Sequence, residues 1–149
     1  EYFVELKSEP NLIGIIYLNS EKADITSEVA IAIEEADKIV IGPSNPILSI
    51  GPILSIQNLK EKLIINKNTY VVSPFIQNKA IKGPSKKNFE DLGYKSDITG
   101  VKDFYKDIGT FFIVQTGDSD KAENTIEENI LFKTEKDAIN LARYIVDHE

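Results

Sequence analysis

Residues 42–46 (Gly-Pro-Ser-Asn-Pro) combine backbone and side-chain groups that could bind an anionic oxygen or a sugar hydroxyl. Because proline has no N–H, the donors are the backbone amides of Gly42, Ser44 and Asn45, with the Ser44 and Asn45 side chains beside them. Closely spaced amides of this kind can form an uncharged cradle for an anion. A rigid turn with a buried polar tip explains the same residues equally well, so both interpretations stay open.

A second candidate segment, residues 73–84, carries lysines ahead of a predicted helix. Lys79 and Lys82 precede Pro84, and proline suits the first turn of a helix. Lysine charge beside a helix N-terminus favours a phosphate ligand. Clusters of charge are more often solvated surface turns, and composition alone somewhat favours that interpretation here.

Other sets of ionisable residues are weaker candidates. Asp118 and Asp120 could hold a metal ion, but an isolated D-x-D pair is more typical of a solvated turn. Asp103, Tyr105 and Asp107 lie within about one helical turn of one another, where helix-surface charge explains them as well. The standard nucleotide-binding, nucleophile-elbow and zinc-protease motifs are absent from the sequence.

The composition excludes several classes of function. The 149 residues include no cysteine and a single histidine, His148, which excludes thiol catalysis and sites built from several histidines. His148 is expected to be frayed, since it is the second-to-last residue of the sequence. The net charge of −7 argues against sequence-independent nucleic-acid binding, because that needs Lys and Arg to neutralise phosphates. We therefore expect no nucleic-acid partner.

Residues 39–59 carry no charge and are long enough to raise the question of a membrane-spanning helix. Three prolines and two glycines interrupt them, and each proline removes a backbone donor at a cost that is high in lipid. We predict a buried strand followed by a buried loop, and no membrane partner. No signal peptide is visible, which favours a cytoplasmic protein.

Predicted strands and helices alternate along the chain. Short apolar runs predict strands at 14–18, 38–41, 69–73, 111–114 and 130–132. Amphipathic spacing and capping residues predict helices at 28–36, 51–54, 59–65, 83–93 and 96–105, and after Thr134 with Asp137 as its capping partner. This alternation predicts one α/β domain over residues 1–149, with a parallel sheet covered by helices on both faces. Ligands of such sheets bind beyond the carboxyl ends of the strands, where both candidate segments lie.

Three stretches of sequence resemble the 2-phospho-L-lactate transferase family. They read IVIGPSNPILSIGPIL (residues 39–54), VVSPFIQNKAIKGPSKKN (residues 71–88) and TGVKDFYKDI (residues 99–108). The sister branch of gluconeogenesis-factor-like proteins has a different, Gly-Pro-Gly-type loop at residues 42–46, which favours the transferase branch. The chain departs from the family pattern at Lys86, Thr110 and Gln115, where acidic residues are expected.

The resemblance implies a fold and an activity. The fold is a Rossmann-like three-layer α/β sandwich with a mostly parallel sheet, incomplete without an N-terminal half. The activity is a Mg²⁺-dependent transfer of a 2-phospholactyl group from lactyl-diphospho-guanosine to the deazaflavin precursor Fo, with release of GMP, in coenzyme F420 biosynthesis. The alternative is a non-catalytic nucleotide or nucleotide-sugar binding module of the same superfamily.

This chain looks like the C-terminal half of such an enzyme and is expected to be inactive alone. The catalytic residues and the magnesium ligands are expected mainly in the N-terminal half, and the complete protein is expected to be a homodimer. The assignment of the two lysines rests on their charge. The candidate substrate-binding residues are Gly42, Ser44, Asn45, Pro46, Ser49, Lys79, Lys82 and Gly83.

Overall fold

The computed structural model describes residues 2, 4–77, 79–80, 83–118 and 123–148. The strands within those ranges are β1 (Ile39–Ile41), β2 (Thr69–Val72), β3 (Phe75–Ile76), β4 (Lys79–Ala80), β5 (Phe111–Gln115) and β6 (Thr125–Glu128). The helices are α1 (Ser27–Glu35), α2 (Gly51–Leu54), α3 (Gln57–Ile65), α4 (Ser85–Asp91), α5 (Ile98–Tyr105) and α6 (Glu135–Asp147), with a 3₁₀ turn at Ser20–Lys22 and a π-helical turn at Pro46–Ile50.

Four strands form one parallel sheet in the order β1-β2-β5-β6. Val71 of β2 lies opposite Ile41 on one side and Phe112 on the other. Because successive side chains of a strand point to opposite faces, β2 contributes Val71 to one face and Tyr70 and Val72 to the other. The predicted parallel sheet is confirmed.

Helices cover both faces of this sheet, which gives three layers. On one face Val71 packs with Leu63 of α3, Phe89 of α4 and Val101 of α5. On the other face Val72 belongs to a smaller cluster that includes two residues of α6, Leu141 and Ile145. The α/β, Rossmann-like three-layer fold is therefore confirmed.

The predicted helix ends are confirmed where capping residues indicated them. Thr26 accepts the N–H of Val29 through its side chain and begins α1. The Asp137 carboxylate accepts the backbone N–H of Thr134 at 2.8 Å and begins α6. Gly93, with φ of +83°, follows α4 in the left-handed conformation that suits glycine after a helix.

Two predicted strands are wrong. Residues 14–18 form no strand, because an apolar run becomes a strand only when a partner strand pairs with it. The side chains of Ile16 and Leu18 are exposed. The last strand is β6 rather than 130–132: its Thr-Ile-Glu-Glu sequence suits a polar sheet edge, which a search for apolar runs overlooks. Ile130 is buried instead beneath α6.

Two segments predicted as loops carry regular structure. Residues 46–50, predicted as part of a buried loop, form the π-helical turn, which runs directly into α2, and the helix predicted at residues 51–54 is confirmed. Between β2 and α4 the chain makes an antiparallel pair, β3 with β4. Among the described residues, no helix has both the length and the apolar character needed to cross a membrane.

Candidate functional site

The loop after β1 lies at the carboxyl end of the parallel sheet, as predicted. Gly42 and Ser44 are exposed, and the Ser44 N–H donates to the Gly42 carbonyl at 2.8 Å. That bond closes a tight turn and engages one of the three amides that the sequence offered as anion donors. The exposed Ser44 side chain and the Gly42 backbone are therefore the groups of this turn that face solvent.

The Asn45 side chain is largely engaged within the protein. Its Oδ1 accepts the backbone N–H of Ile47 at 2.9 Å and of Leu48 at 3.0 Å, which caps the π-helical turn. Its Nδ2 donates to Asn88 Oδ1 at 2.9 Å. Because an asparagine amide has two N–H donors and two acceptor positions, at most one N–H is left for a ligand. The structure gives Asn45 the role of holding the loop.

The π-helical turn places Ser49 on the surface and buries Pro46 beneath it. Single π-helical turns occur frequently at functional sites. The turn is held from outside by Tyr17, whose hydroxyl donates to the Ile47 carbonyl at 2.6 Å. Gly51 directly follows the turn, and a Cβ at this position would lie only 1.9 Å from that hydroxyl oxygen. Position 51 must therefore be glycine for Tyr17 to pack there.

The second candidate segment begins with a tightly bonded turn at the end of β2. The Ser73 N–H donates to the Ile113 carbonyl at 2.8 Å, and its Oγ accepts the Phe75 N–H at 3.1 Å. Lys79 is exposed on β4, and Gly83 is exposed with φ of +65°. Lys82 lies outside the described residues.

Two further lysines near this segment, Lys86 and Lys87 at the start of α4, are engaged in structural contacts. Lys87 donates to the Pro10 carbonyl and to Asn11 Oδ1, both at 2.9 Å, and forms an ion pair with Asp91 at 2.5 Å. Lys86 lies 3.8 Å from Glu90. The predicted phosphate contact therefore rests on Lys79 and Lys82.

A cavity of about 210 Å³ opens at the carboxyl ends of β2 and β5. Burial opposes ionisation of Asp97, which lines the cavity, but hydrogen bonds from Thr99 and Gly100 outweigh burial and lower the pKa of its carboxyl group. The other lining residues are Ser73, Phe75, Gln77, Ile98, Val114, Gly117 and Asp118.

The weaker candidates have structural roles. Asp118 accepts the Gln77 N–H at 2.8 Å and so anchors the end of β3, while Asp120 lies outside the described residues. Asp107 pairs with Lys60 at 2.9 Å, and the hydrogen bond from that lysine lowers the pKa of its carboxyl group. Tyr105 is part of the core, where burial raises the pKa of its hydroxyl group.

His148 is not frayed, contrary to expectation. Its Nδ1 lies 2.7 Å from the Tyr70 hydroxyl, and its ring packs edge-on against Phe111 with centroids 4.9 Å apart. Lys38, just before β1, donates to the backbone carbonyls of residues 145, 146 and 148 at the end of α6. These contacts lie near the amino ends of the strands, opposite the candidate site.

The structure joins the first candidate segment to α4, the helix that follows the second segment, through Asn88, a residue that the sequence analysis did not single out. Asn88 is fully buried on α4 and contacts Asn45 of the first loop. The sequence held one signal for this role: a polar residue directly before the apolar Phe89 in a predicted helix. Both residues are buried, and a buried amide needs hydrogen-bond partners. The partner itself, 43 positions away, could not be read from the sequence.

Comparison with known proteins finds relatives that match nearly the whole length of this sequence. A family model described as 2-phospho-L-lactate transferase CofD matches residues 1–145. Proteins named 2-phospho-L-lactate transferase are 39% identical in Methanococcus vannielii, 36% in Methanocaldococcus jannaschii and 30% in Methanopyrus kandleri. Each similarity covers 98–99% of this chain and 48–49% of the relative. The chain thus spans about half the length of the curated relatives that it matches.

Proposed function

The chain belongs to the 2-phospho-L-lactate transferase family, and on that basis we propose that it forms one half of an enzyme that transfers a 2-phospholactyl group. The donor is lactyl-diphospho-guanosine, the acceptor is the deazaflavin precursor Fo, and the product leads to coenzyme F420. The observation that carries the proposal is the family match over residues 1–145, which includes both candidate loops.

The reaction proposed is a displacement at phosphorus. The terminal ribityl hydroxyl oxygen of Fo forms a bond to the phosphorus that bears the lactyl group. The bond from that phosphorus to the oxygen bridging to GMP breaks, GMP leaves with the electron pair, and the hydroxyl proton passes to a base. Because phosphoryl transfer depends mainly on positioning and charge neutralisation, the protein need not form a covalent intermediate.

The residues of this chain have positioning and electrostatic roles in the proposal. The exposed Ser44 hydroxyl and the Gly42 backbone hydrogen-bond the substrate at the carboxyl edge of the sheet, and Ser49 extends that surface. Asn45 and the buried Pro46 keep this surface in place. Lys79 and Lys82, with Gly83 beside them, neutralise phosphate charge on the donor.

Mg²⁺ would supply further charge neutralisation at the transferring phosphoryl group. Within the described ranges, no three acidic or histidine side chains come together as a metal site. The part of the chain that the structure describes therefore offers no such cluster to hold magnesium by itself. We propose that the magnesium ligands lie in the part of the relatives' length that this chain does not span.

The proposal is tested by incubating the full-length protein with Fo, lactyl-diphospho-guanosine and Mg²⁺. We expect GMP and the phosphodiester product in equal amounts, and no product from residues 1–149 alone. Binding of the donor without release of GMP would contradict the proposal and support a non-catalytic binding module.

A matched pair of lysine variants tests the predicted contact with the donor. Lys79→Ala in the full-length protein is expected to raise the KM for the donor roughly tenfold, because it removes a charged hydrogen-bond donor to phosphate. Lys67→Ala removes another exposed lysine, which lies just before β2 at the amino ends of the strands, and is expected to leave the KM for the donor unchanged. An equal effect of both substitutions would refute the assignment of Lys79.

A further inference from the structure

A chain of three hydrogen bonds runs through the buried Asn88, and in all three the donor lies on the Asn45 side and the acceptor on the Ser8 side. The Tyr2 hydroxyl donates to the Ser8 carbonyl at 3.4 Å and accepts from Asn88 Nδ2 at 3.0 Å. Asn88 Oδ1 in turn accepts from Asn45 Nδ2 at 2.9 Å. Each amide thus donates on one side and accepts on the other.

Both ends of this chain fix its direction. At one end the Ser8 carbonyl can only accept, so the Tyr2 hydroxyl presents its lone pair to Asn88. At the other end the backbone N–H groups of Ile47 and Leu48 can only donate, so Asn45 must present its Oδ1 to them. A reversed Asn88 amide would set donor against donor at Asn45.

Burial makes that choice energetically strict. Asn88 is 0% exposed, and a buried amide without partners costs far more than one in water, where the solvent would accept either orientation. Asn45 is only half-buried and belongs to a loop whose neighbours Gly42 and Ser44 are exposed. The buried Asn88 amide therefore adds a hydrogen bond that holds the Asn45 amide in the orientation in which it caps the π-helical turn.

We propose that Asn88 is a positioning residue for the transferase site, acting through the Asn45 amide to hold the loop at residues 42–46 and the π-helical turn. Asn88 itself touches no substrate in this proposal. The inference rests on the proposed function, but the orientation of Asn45 can be measured without any activity.

The first test compares kcat/KM for transfer in the full-length protein. Asn88→Ala is expected to lower kcat/KM roughly tenfold, the usual order for a lost hydrogen bond in a site. If Asn88 acts only through Asn45, the double variant with Asn45→Ala is no slower than Asn45→Ala alone. Additive losses in the double variant would overturn the proposal.

The second test follows hydrogen exchange at the Ile47 and Leu48 amides, which Asn45 protects. We expect faster exchange at both amides in Asn88→Ala, and also in Asn88→Leu, which keeps the number of side-chain heavy atoms and so leaves no cavity at this buried position. Unchanged exchange at these amides would overturn the proposal. If the wild-type protein shows no transfer, the proposed function fails while exchange still decides the link between the two asparagines.

Asn66→Ala provides the matched control. The Asn66 side chain donates to the Ala36 carbonyl at 3.1 Å and accepts from the Asn68 N–H at 2.9 Å, just ahead of β2 at the far edge of the sheet. At a comparable loss of melting temperature, Asn66→Ala is expected to leave both kcat/KM and exchange at Ile47 and Leu48 unchanged. An equal loss of kcat/KM in this control would show that Asn88 acts only through stability.

Discussion

Gly100, in the first turn of α5, marks a close approach of two backbone segments. A Cβ at this position would lie 1.8 Å from the Lys95 carbonyl oxygen and 2.7 Å from its carbonyl carbon. In the sequence, a glycine at this position argues against a helix, because glycine is unfavourable within helices. In the structure, it allows the turn before α5 to pack directly on the helix.

Gly100→Ala is therefore expected to destabilise the protein by about 1–3 kcal/mol or more, since the atoms it would meet are backbone atoms that must shift. Gly14→Ala is the matched control, because a Cβ at Gly14 meets nothing within 4 Å. That substitution is expected to change stability by less than about 0.5 kcal/mol. Urea denaturation of both variants measures the difference, and equal stabilities would show that the loop before α5 yields without cost.

The candidate site was predictable from the sequence only in part, and single residues show why. Gly42, Ser44 and Asn45 were indicated by their types and by their place after an apolar run. The engagement of Asn45 was not predictable, because its partner Asn88 comes from a helix distant in sequence. Residue type indicates what a side chain can bond, whereas tertiary structure decides how much of that capacity remains for a ligand.

At the scale of elements, the start of α6 is controlled by one carboxylate. Asp137 accepts the backbone N–H groups of Thr134 at 2.8 Å and Lys133 at 2.9 Å. These hydrogen bonds lower the pKa of the Asp137 carboxyl group below its ordinary value of 3.8. A lowered pKa in the folded state means a contribution to stability that is present above pH 3.8 and lost as the pH falls through the lower, folded value.

Asp137→Asn is expected to reduce stability most at neutral pH, and the difference from the wild type should shrink on acidification below pH 3.8. Urea denaturation at a series of pH values measures this difference. Glu135→Gln, which removes an exposed carboxylate from the same first turn, serves as the control. A difference for Asp137→Asn that stays constant with pH would contradict the hydrogen-bonded role of the carboxylate.

Elements with local signals were predictable, whereas elements that depend on pairing were not. The apolar run at 111–114 lies in β5, and Thr134 with Asp137 marked the start of α6. By contrast, the apolar residues 14–18 do not pair, while the polar strand β6 does pair with β5. The π-helical course of residues 46–50 was not predictable, because the sequence does not show that Asn45 caps such a turn.

At the scale of the whole molecule, apolar side chains are exposed on the edge strand β1 and on the segments that precede it in sequence. β1 is an edge strand, and Val40 is 50% exposed. No residue of α1 is buried, and its Val29 and Ile31 are exposed. Ile13, in the segment that precedes α1, is also fully exposed. Exposed apolar edges of this kind usually mark surfaces that another segment or chain covers.

We expect residues 1–149 alone to bind a hydrophobic dye strongly, and the full-length protein to bind much less, if its other half covers this surface. Fluorescence of the dye at equal molar concentrations measures the difference. Val40→Lys in the isolated chain should lower the signal, whereas Leu131→Lys should lower it less, because Leu131 is similarly exposed but follows β6, the strand at the opposite edge of the sheet. Dye binding by the isolated chain no greater than that of a compact monomer would contradict the prediction.

The contacts between Lys38 and the end of α6 join residues that are synthesised far apart in time. Lys38 directly precedes β1, and its acceptors lie 107 to 110 residues further along the chain. On the ribosome, β1 and β2 emerge well before these carbonyls exist. A nascent chain therefore carries β1 and β2 without the Lys38 contacts until residues 145–148 leave the exit tunnel, and contacts between residues so far apart in sequence slow folding.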